Sequence, residues 1–258
     1  MLTPGLVSTT FHTLTIPEVI HLARKSKAKS IEWNGESHLP PGKQEAAQDT
    51  RKRTEDAGLI IAAYGACYQI GLSEKEQPDF EEILQTAIDL GAPAISLQAG
   101  VVSSSKTDEA ARKSILRKLE KKARLAAESE ITLSLRFQPN SLNDTIKSSL
   151  QIFEEIKNPK VFSLWQPSSK HSPETSLSNL RKLLPHLTNI HTAGNPKKKT
   201  SPQKSFRANL EFWRACIDLL RESGREHHIL LSAPHDDSPG DFLENADTLR
   251  KLLDEESE

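Results

Sequence analysis

The chain has 258 residues, of which 36% are hydrophobic and 27% are charged, and its 34 Lys and Arg residues against 35 Asp and Glu residues leave a formal net charge of −1. This near-neutral balance argues against a dedicated nucleic-acid-binding protein, because such proteins carry a basic excess. Two cysteines are too few for a disulfide framework or a cysteine-based metal centre, and the sequence shows neither a signal-peptide pattern nor an apolar run of membrane-spanning length, so we expect a cytoplasmic protein without a membrane partner.

Short apolar runs alternate with longer amphipathic stretches along the whole sequence. The predicted strands are 6–11, 30–33, 59–64, 94–98, 131–137, 161–165, 189–192 and 229–232. A predicted helix follows each strand. The helix boundaries are clearest at Thr15 and Ser238, which are typical of capping residues at a helix start, and at Gly91, which is typical of a helix end.

The number of strand-and-helix units determines the predicted fold. Eight units in 258 residues average about 32 residues each, which is the repeat of a closed (β/α)8 TIM barrel. A doubly wound open sheet would have fewer strands, and the sequence contains no glycine-rich dinucleotide or P-loop motif. We therefore predict one α/β domain, a single (β/α)8 barrel that spans residues 1–258.

In such a barrel the functional residues lie at the carboxyl ends of the strands and in the loops that follow. The polar or titratable residues so placed are Glu32, His38, Tyr64, Gln98, Arg136, Gln138, Gln166, His171, His191, Ser232 and His235. We expect these side chains to converge on one mouth of the barrel. Trp33 is a further candidate, because an aromatic ring at a strand end can form one wall of a sugar site.

Several local patterns point to a known family. They are the segments 30–33 with 38–42, 57–65, 87–95, 133–145, 187–191 and 236–239 with 242–243 and 249–253. In this order and spacing the chain resembles the xylose isomerase-like sugar phosphate isomerase/epimerase barrels, over nearly its whole length. The resemblance implies a carbohydrate-like small molecule as ligand and a cytoplasmic enzyme that acts on sugars.

The resemblance also implies a divalent metal, held by carboxylates and a histidine at the ends of the fifth to eighth strands. At those positions this sequence has Arg136, Gln166, His191 and Ser232. With neutral histidine these four side chains carry a charge of about +1, because arginine stays protonated in proteins. We therefore predict that no metal cofactor is bound and that the metal-dependent reaction of the family is lost.

Two roles for Arg136 remain open. Its guanidinium can bind the carboxylate or phosphate of a sugar-like ligand, or it can pair internally with Glu32. We predict Glu32 and His191 as the catalytic pair if a reaction remains. The predicted substrate-binding residues are Trp33, His38, Arg136, Gln138, Gln166 and His235.

The alternative is an active isomerase or epimerase that binds Mn, Mg or Zn through relocated ligands. His235, Asp236 and Asp237 could form such a site together with His191, although the two aspartates are also well placed to stabilise the start of the last helix. Among macromolecular partners, the sequence allows a homo-oligomer. A contact between the basic run at 197–199 and an acidic partner is also open.

Overall fold

The chain folds into a closed barrel of eight parallel strands. The computed structural model describes residues 1–168, 170–192, 206–232 and 239–255, apart from the side chain of residue 208. The strands are β1 Leu2–Val7, β2 Ser30–Asn34, β3 Ile60–Ile70, β4 Ala94–Ala99, β5 Thr132–Arg136, β6 Val161–Trp165, β7 Leu187–His191 and β8 His227–Leu231. Each strand pairs with the next along the chain, and β1 closes the barrel by pairing with β8.

A layer of helices surrounds the barrel. The helices are α1 Ile16–Lys25, α2 Gln44–Asp56, α3 Phe80–Leu90, α4 Glu109–Glu128, α5 Ile146–Glu155, α6 Pro173–Leu183, α7 Leu210–Glu222 and α8 Pro239–Asp254. This arrangement confirms the predicted (β/α)8 barrel. No helix in the described ranges is long and apolar enough to cross a membrane.

The first strand lies earlier in the chain than predicted. Strand β1 is Leu2–Val7, and the predicted strand residues 8–11 form a 3-10 turn. Gly5 is a residue of this strand and pairs with Ser30 of β2, and a Cβ atom there would collide with the Ser30 hydroxyl. The small residue permits close approach of β1 and β2.

Strand β3 is longer than predicted, and its extension helps to form the mouth. The prediction ended this strand at Tyr64, whereas it continues to Ile70. Gly65 does not stop the strand. A Cβ atom at this position would lie 2.7 Å from Asn34 Nδ2 and 3.0 Å from Glu32 Oε1, so glycine is required by the packing of polar side chains on β2.

The interior of the barrel contains polar contacts as well as an apolar cluster. Near the amino-terminal ends of the strands, His228 Nδ1 lies 2.9 Å from Ser30 Oγ. Val7, Ala62 and Leu230 form a buried apolar cluster that is separate from the main core between strands and helices. The polar side chains described next lie toward the carboxyl ends of the strands, where barrels of this class carry their sites.

Candidate functional site

A buried carboxylate–imidazole pair lies at the carboxyl end of the barrel. Glu32 on β2 is 1% exposed and His191, the last residue of β7, is 8% exposed. His191 Nε2 donates to Glu32 Oε2 at 2.9 Å. Because an ionised carboxylate only accepts hydrogen bonds, this contact places a proton on Nε2. The other ring nitrogen, Nδ1, makes no hydrogen bond to the described residues.

Ser96 connects this pair to Arg136. The Ser96 hydroxyl donates to Glu32 Oε1 at 3.0 Å. Arg136 Nη2 lies 3.3 Å from Ser96 Oγ, 3.2 Å from the Ser96 carbonyl oxygen and 3.0 Å from the Ala66 carbonyl oxygen. One continuous polar network therefore runs from His191 through Glu32 and Ser96 to the guanidinium.

The charges around Glu32 keep it ionised despite its burial. Desolvation alone would raise the pKa of Glu32, but the charge and hydrogen bond of His191, the charge of Arg136 and the hydrogen bond of Ser96 together lower this pKa below its ordinary value. At neutral pH the pocket thus contains a fixed negative charge beside a fixed positive charge. The two charges are linked through Ser96. Arg136 is therefore connected to Glu32 indirectly, which combines features of the two roles left open for it, internal pairing and anion binding.

Three glutamines lie at or just after the carboxyl ends of β4, β5 and β6. Gln138 Nε2 donates to Gln98 Oε1 at 2.5 Å, and Gln98 Nε2 donates to the carbonyl oxygens of Gly100 and Asn140, each at 2.9 Å. Gln166 directly follows β6 and is half-buried, and its side chain makes no hydrogen bond to the described residues. These amides add neutral hydrogen-bonding groups to a mouth that already carries both charges.

The structure thus brings Glu32, His191 and Arg136 together, and it joins Gln138 to Gln98 on the neighbouring strand β4. Ser232 directly follows β8, and its backbone N–H donates to Thr192 Oγ1 at 3.2 Å.

Trp33 does not belong to the mouth. Its side chain is fully buried, and its indole N–H donates to Thr54 Oγ1 on α2 at 3.1 Å. Side chains alternate across a strand, so the residue after the inward-facing Glu32 points outward to the helix layer. The prediction that Trp33 forms a ligand-binding wall is corrected: it is a core residue.

His38 lies in the loop after β2 and is held by the protein. Its Nε2 atom is 3.0 Å from the Leu14 carbonyl oxygen, and its ring packs edge-on against Trp33 at 5.9 Å. Burial lowers the pKa of His38, so the ring is neutral at neutral pH. Among the described residues, its buried Nδ1 atom has no hydrogen-bond partner.

The predicted residues His235, Asp236 and Asp237, the capping Ser238 and the basic run at 197–199 lie outside the described residues. In the ranges that the structure does describe, no group of three His, Cys, Asp or Glu side chains is arranged to hold a metal ion.

The donor set at the mouth does not fit the divalent metal that the sequence resemblance implies. The guanidinium of Arg136 repels a cation, and both oxygens of Glu32 are occupied by His191 and Ser96. A hard divalent ion needs several free oxygen ligands, with carboxylates that supply negative charge. These described side chains offer instead a site in which positive and negative charges already balance.

The structure adds two participants that sequence reasoning did not select. Ser96 is an inward-facing residue of β4, like the predicted Gln98, and the Ala66 carbonyl lies on the unpredicted extension of β3. Cys67, the next residue, is exposed. The alternation of polar and apolar residues in 94–99 was a usable signal for Ser96 as well as for Gln98, whereas a backbone carbonyl has no signature in sequence.

Comparison with known proteins identifies the family. The family described as xylose isomerase-like TIM barrel matches residues 20–252. The chain is similar in structure to the probable 3-DHS dehydratase AsbF involved in petrobactin synthesis from Bacillus anthracis, with 16% identity, coverage of 97% of this chain and 99% of that chain, and a TM-score of 0.78.

Two further solved structures have the same fold. The 3-keto-D-glucoside 4-epimerase YcjR from E. coli is 14% identical and covers 98% of this chain and 99% of its own, with a TM-score of 0.72. A xylose isomerase-like TIM barrel protein from Mycobacterium smegmatis in complex with magnesium is 15% identical, with 97% and 96% coverage and a TM-score of 0.70. No curated protein matches in sequence. Since the family match spans most of its length, the chain belongs to the xylose isomerase-like TIM barrel family.

Proposed function

We propose that the mouth of this barrel binds a small sugar-like or sugar-acid ligand without a divalent metal, through the fixed positive charge of Arg136. The observation that carries the proposal is the position of this guanidinium, at the end of β5 and linked through Ser96 to the buried pair of Glu32 and His191. The carbohydrate class of the ligand is supported by family membership and by a neighbour whose name is that of a sugar epimerase.

Arg136 retains the capacity to bind an anion. Its Nη2 atom contacts the protein, while Nη1 and Nε make no hydrogen bond to the described residues, and the side chain is half-buried. A hydrogen bond between a charged donor and a charged acceptor is about twice as strong as one between neutral groups. A carboxylate or phosphate of the ligand is therefore the group that gains most from this position.

Glu32 and His191 are the pair that would transfer a proton at this mouth. Glu32 holds Nε2 of the imidazole in its protonated form, so that Nδ1 carries the lone pair that can accept a proton. A base whose ring is oriented by a buried carboxylate is a recurrent arrangement in acid–base catalysis. In the proposed function these two side chains are the acid–base groups of any reaction at this mouth.

The competing function is a metal-dependent isomerase or epimerase that uses ligands elsewhere in the chain. The magnesium bound to the structural neighbour from Mycobacterium smegmatis favours this second candidate. It requires a cation held by residues other than Arg136, for which residues 235–237 are the candidates from sequence.

The proposal is tested by calorimetric binding of two matched pairs, D-gluconate with D-glucitol and D-glucose 6-phosphate with D-glucose. We expect Arg136→Ala to lower the affinity for the anion of each pair at least tenfold and the affinity for the neutral member less than twofold. The reason is that a hydrogen bond to a charged group contributes about 1.5–3 kcal/mol. Arg214→Ala is the control, since Arg214 is exposed and pairs with Glu255 on the outer surface. Equal losses for both members, or no binding of any probe to the wild type, would refute the proposal.

A further inference from the structure

The side-chain amide of Gln98 is fixed in one orientation by its neighbours. Both of its Nε2 hydrogens are used, one on the Gly100 carbonyl and one on the Asn140 carbonyl, each at 2.9 Å. Turning the amide over would place Oε1 against two carbonyl oxygens, which have no hydrogen to donate. The oxygen of Gln98 must therefore face Gln138.

This orientation determines that of Gln138 in turn. Gln98 Oε1 accepts a hydrogen bond from Gln138 Nε2 at 2.5 Å. A flipped Gln138 would bring two amide oxygens together, so its Nε2 stays on Gln98 and its Oε1 points elsewhere. That Oε1 atom makes no hydrogen bond to the described residues, and the residue is half-buried. Gln138 thus carries an acceptor whose orientation is fixed.

The loop that follows β5 has anchors other than the contact between the two glutamine side chains. Backbone Leu142 N–H donates to the Ala99 carbonyl at 2.5 Å, and the Ser141 hydroxyl donates to the Gln138 carbonyl at 2.7 Å. Asn143 Nδ2 donates to the Arg136 carbonyl at 3.0 Å. Since these contacts tie the loop to β4 and β5, the contact between the two glutamine side chains has a different consequence, which is to aim Oε1 of Gln138.

Gln138 lies two residues beyond Arg136, just after the end of β5, where the Phe137 N–H still donates to the Leu164 carbonyl of β6 at 2.9 Å. The guanidinium of Arg136 donates to Ser96, and the side-chain amide of Gln138 donates to Gln98. Ser96 and Gln98 also lie two residues apart, on β4. Side chains two apart in a strand face the same side. A fixed cation and a fixed neutral acceptor are therefore neighbours on one wall of the mouth.

We infer that the ligand is a hydroxylated carboxylate: its carboxylate binds Arg136 and one of its hydroxyl groups donates to Gln138 Oε1, while Gln98 is the positioning residue that keeps this acceptor in place. The inference rests on the proposed function for the carboxylate. The orientation of the two amides is a property of the free protein.

A measurement without ligand tests the amide orientation. In protein labelled with 15N-glutamine, Gln98→Leu is expected to move the Gln138 side-chain NMR signals toward the values of a solvated amide and to speed the exchange of its hydrogens with water. Gln151→Leu, an exposed position on α5, is the control and leaves these signals unchanged. A Gln138 amide that does not respond to Gln98→Leu overturns the positioning role, whatever the protein binds.

Binding of D-gluconate, 2-deoxy-D-gluconate and 3-deoxy-D-gluconate tests the hydroxyl contact. The wild type is expected to prefer D-gluconate over one deoxy analogue by about fivefold, the effect of one neutral hydrogen bond. This preference falls below twofold in Gln98→Leu, in Gln138→Leu and in the double variant alike, because both residues act through one acceptor.

The two possible failures are distinguishable. If D-gluconate binds and depends on Arg136, but the preference for the hydroxyl survives in Gln98→Leu, this inference fails and the proposed function stands. If no carboxylate binds while the Gln138 signals respond to Gln98→Leu, the amide orientation stands and both the proposed function and the assigned ligand class fail. Circular dichroism spectra matching the wild type show that each variant is folded.

Discussion

Replacing Glu32 with alanine removes the centre of the polar network at the mouth. The carboxylate accepts hydrogen bonds from His191 at 2.9 Å and from Ser96 at 3.0 Å, and it balances the charge of Arg136. Each hydrogen bond to a charged group contributes about 1.5–3 kcal/mol, and removing one partner of a buried ion pair costs about 3–5 kcal/mol. Because Arg136 is half-buried and the serine hydroxyl can turn to another acceptor, we expect the free energy of unfolding to fall by about 3 kcal/mol, the lower end of the range for a buried ion pair.

The matched variant Glu32→Gln separates hydrogen bonding from charge. A glutamine can accept from the Ser96 hydroxyl and donate to a His191 ring that carries its proton on Nδ1, so both contacts survive while the negative charge is lost. We expect a loss of about 1–2 kcal/mol for this variant, since what remains uncompensated is the partly solvated Arg136. Glu36→Ala, which replaces an exposed carboxylate four residues away, is the control and is expected to change the stability by less than about 0.5 kcal/mol.

Urea unfolding followed by circular dichroism gives these free energies directly. For a chain of this length a loss of about 3 kcal/mol corresponds to a Tm lower by about 6–12 °C. The pKa of Glu32 is lowered from 4.5, so its stabilising effect is fully present above pH 4.5 and is lost as the pH falls through the folded-state pKa. The difference in the free energy of unfolding between the wild type and Glu32→Gln therefore becomes smaller below pH 4.5. An alanine variant as stable as the wild type, or a gap that does not depend on pH, would refute this reasoning.

Three further predictions concern packing and reactivity. Gly65→Ala is expected to destabilise the fold by about 1–3 kcal/mol in urea unfolding, because its Cβ would lie 2.7 Å from Asn34 Nδ2, and a stability equal to the wild type would contradict the packing described. One of the two thiols is expected to react quickly with a disulfide reagent, since Cys67 is exposed whereas Cys216 is buried and burial raises its pKa; two equally fast thiols would be unexpected. Thr54→Val removes the acceptor of the buried indole on β2 and is expected to cost about 1 kcal/mol in urea unfolding without changing the affinity for D-gluconate.

Sequence periodicity predicted the architecture because each strand-and-helix unit carries its own pattern. The alternation of apolar runs and amphipathic stretches requires no knowledge of which strands are neighbours, and chain order then dictates the pairing in a parallel barrel. The errors were local. The third strand was predicted to end at Tyr64, whereas it continues through Gly65, since a glycine in a strand permits close approach of other groups, here the polar side chains of β2.

The candidate site was only partly predictable. Glu32, Arg136 and His191 could be named because barrels of this class carry functional groups at strand ends. Trp33 was included by the same rule, although strand alternation after Glu32 already points it outward. Ser96 lies 64 positions from Glu32 in sequence, and the sequence around either residue does not indicate that the two are in contact. Arg136 contacts backbone carbonyls, which every residue possesses, so its placement required the structure.

The central claim is that a guanidinium occupies the position at which the sequence resemblance implies a metal-binding acid. Elemental analysis of the full chain, purified without chelators and then dialysed against Mn, Mg, Zn or Co, tests it most directly. We predict less than about a tenth of an equivalent of each metal, because the described donors carry a compensating positive charge and few free oxygens. Close to one equivalent of a divalent metal per chain, lost in His191→Ala, would contradict the account and favour a metal-dependent isomerase or epimerase.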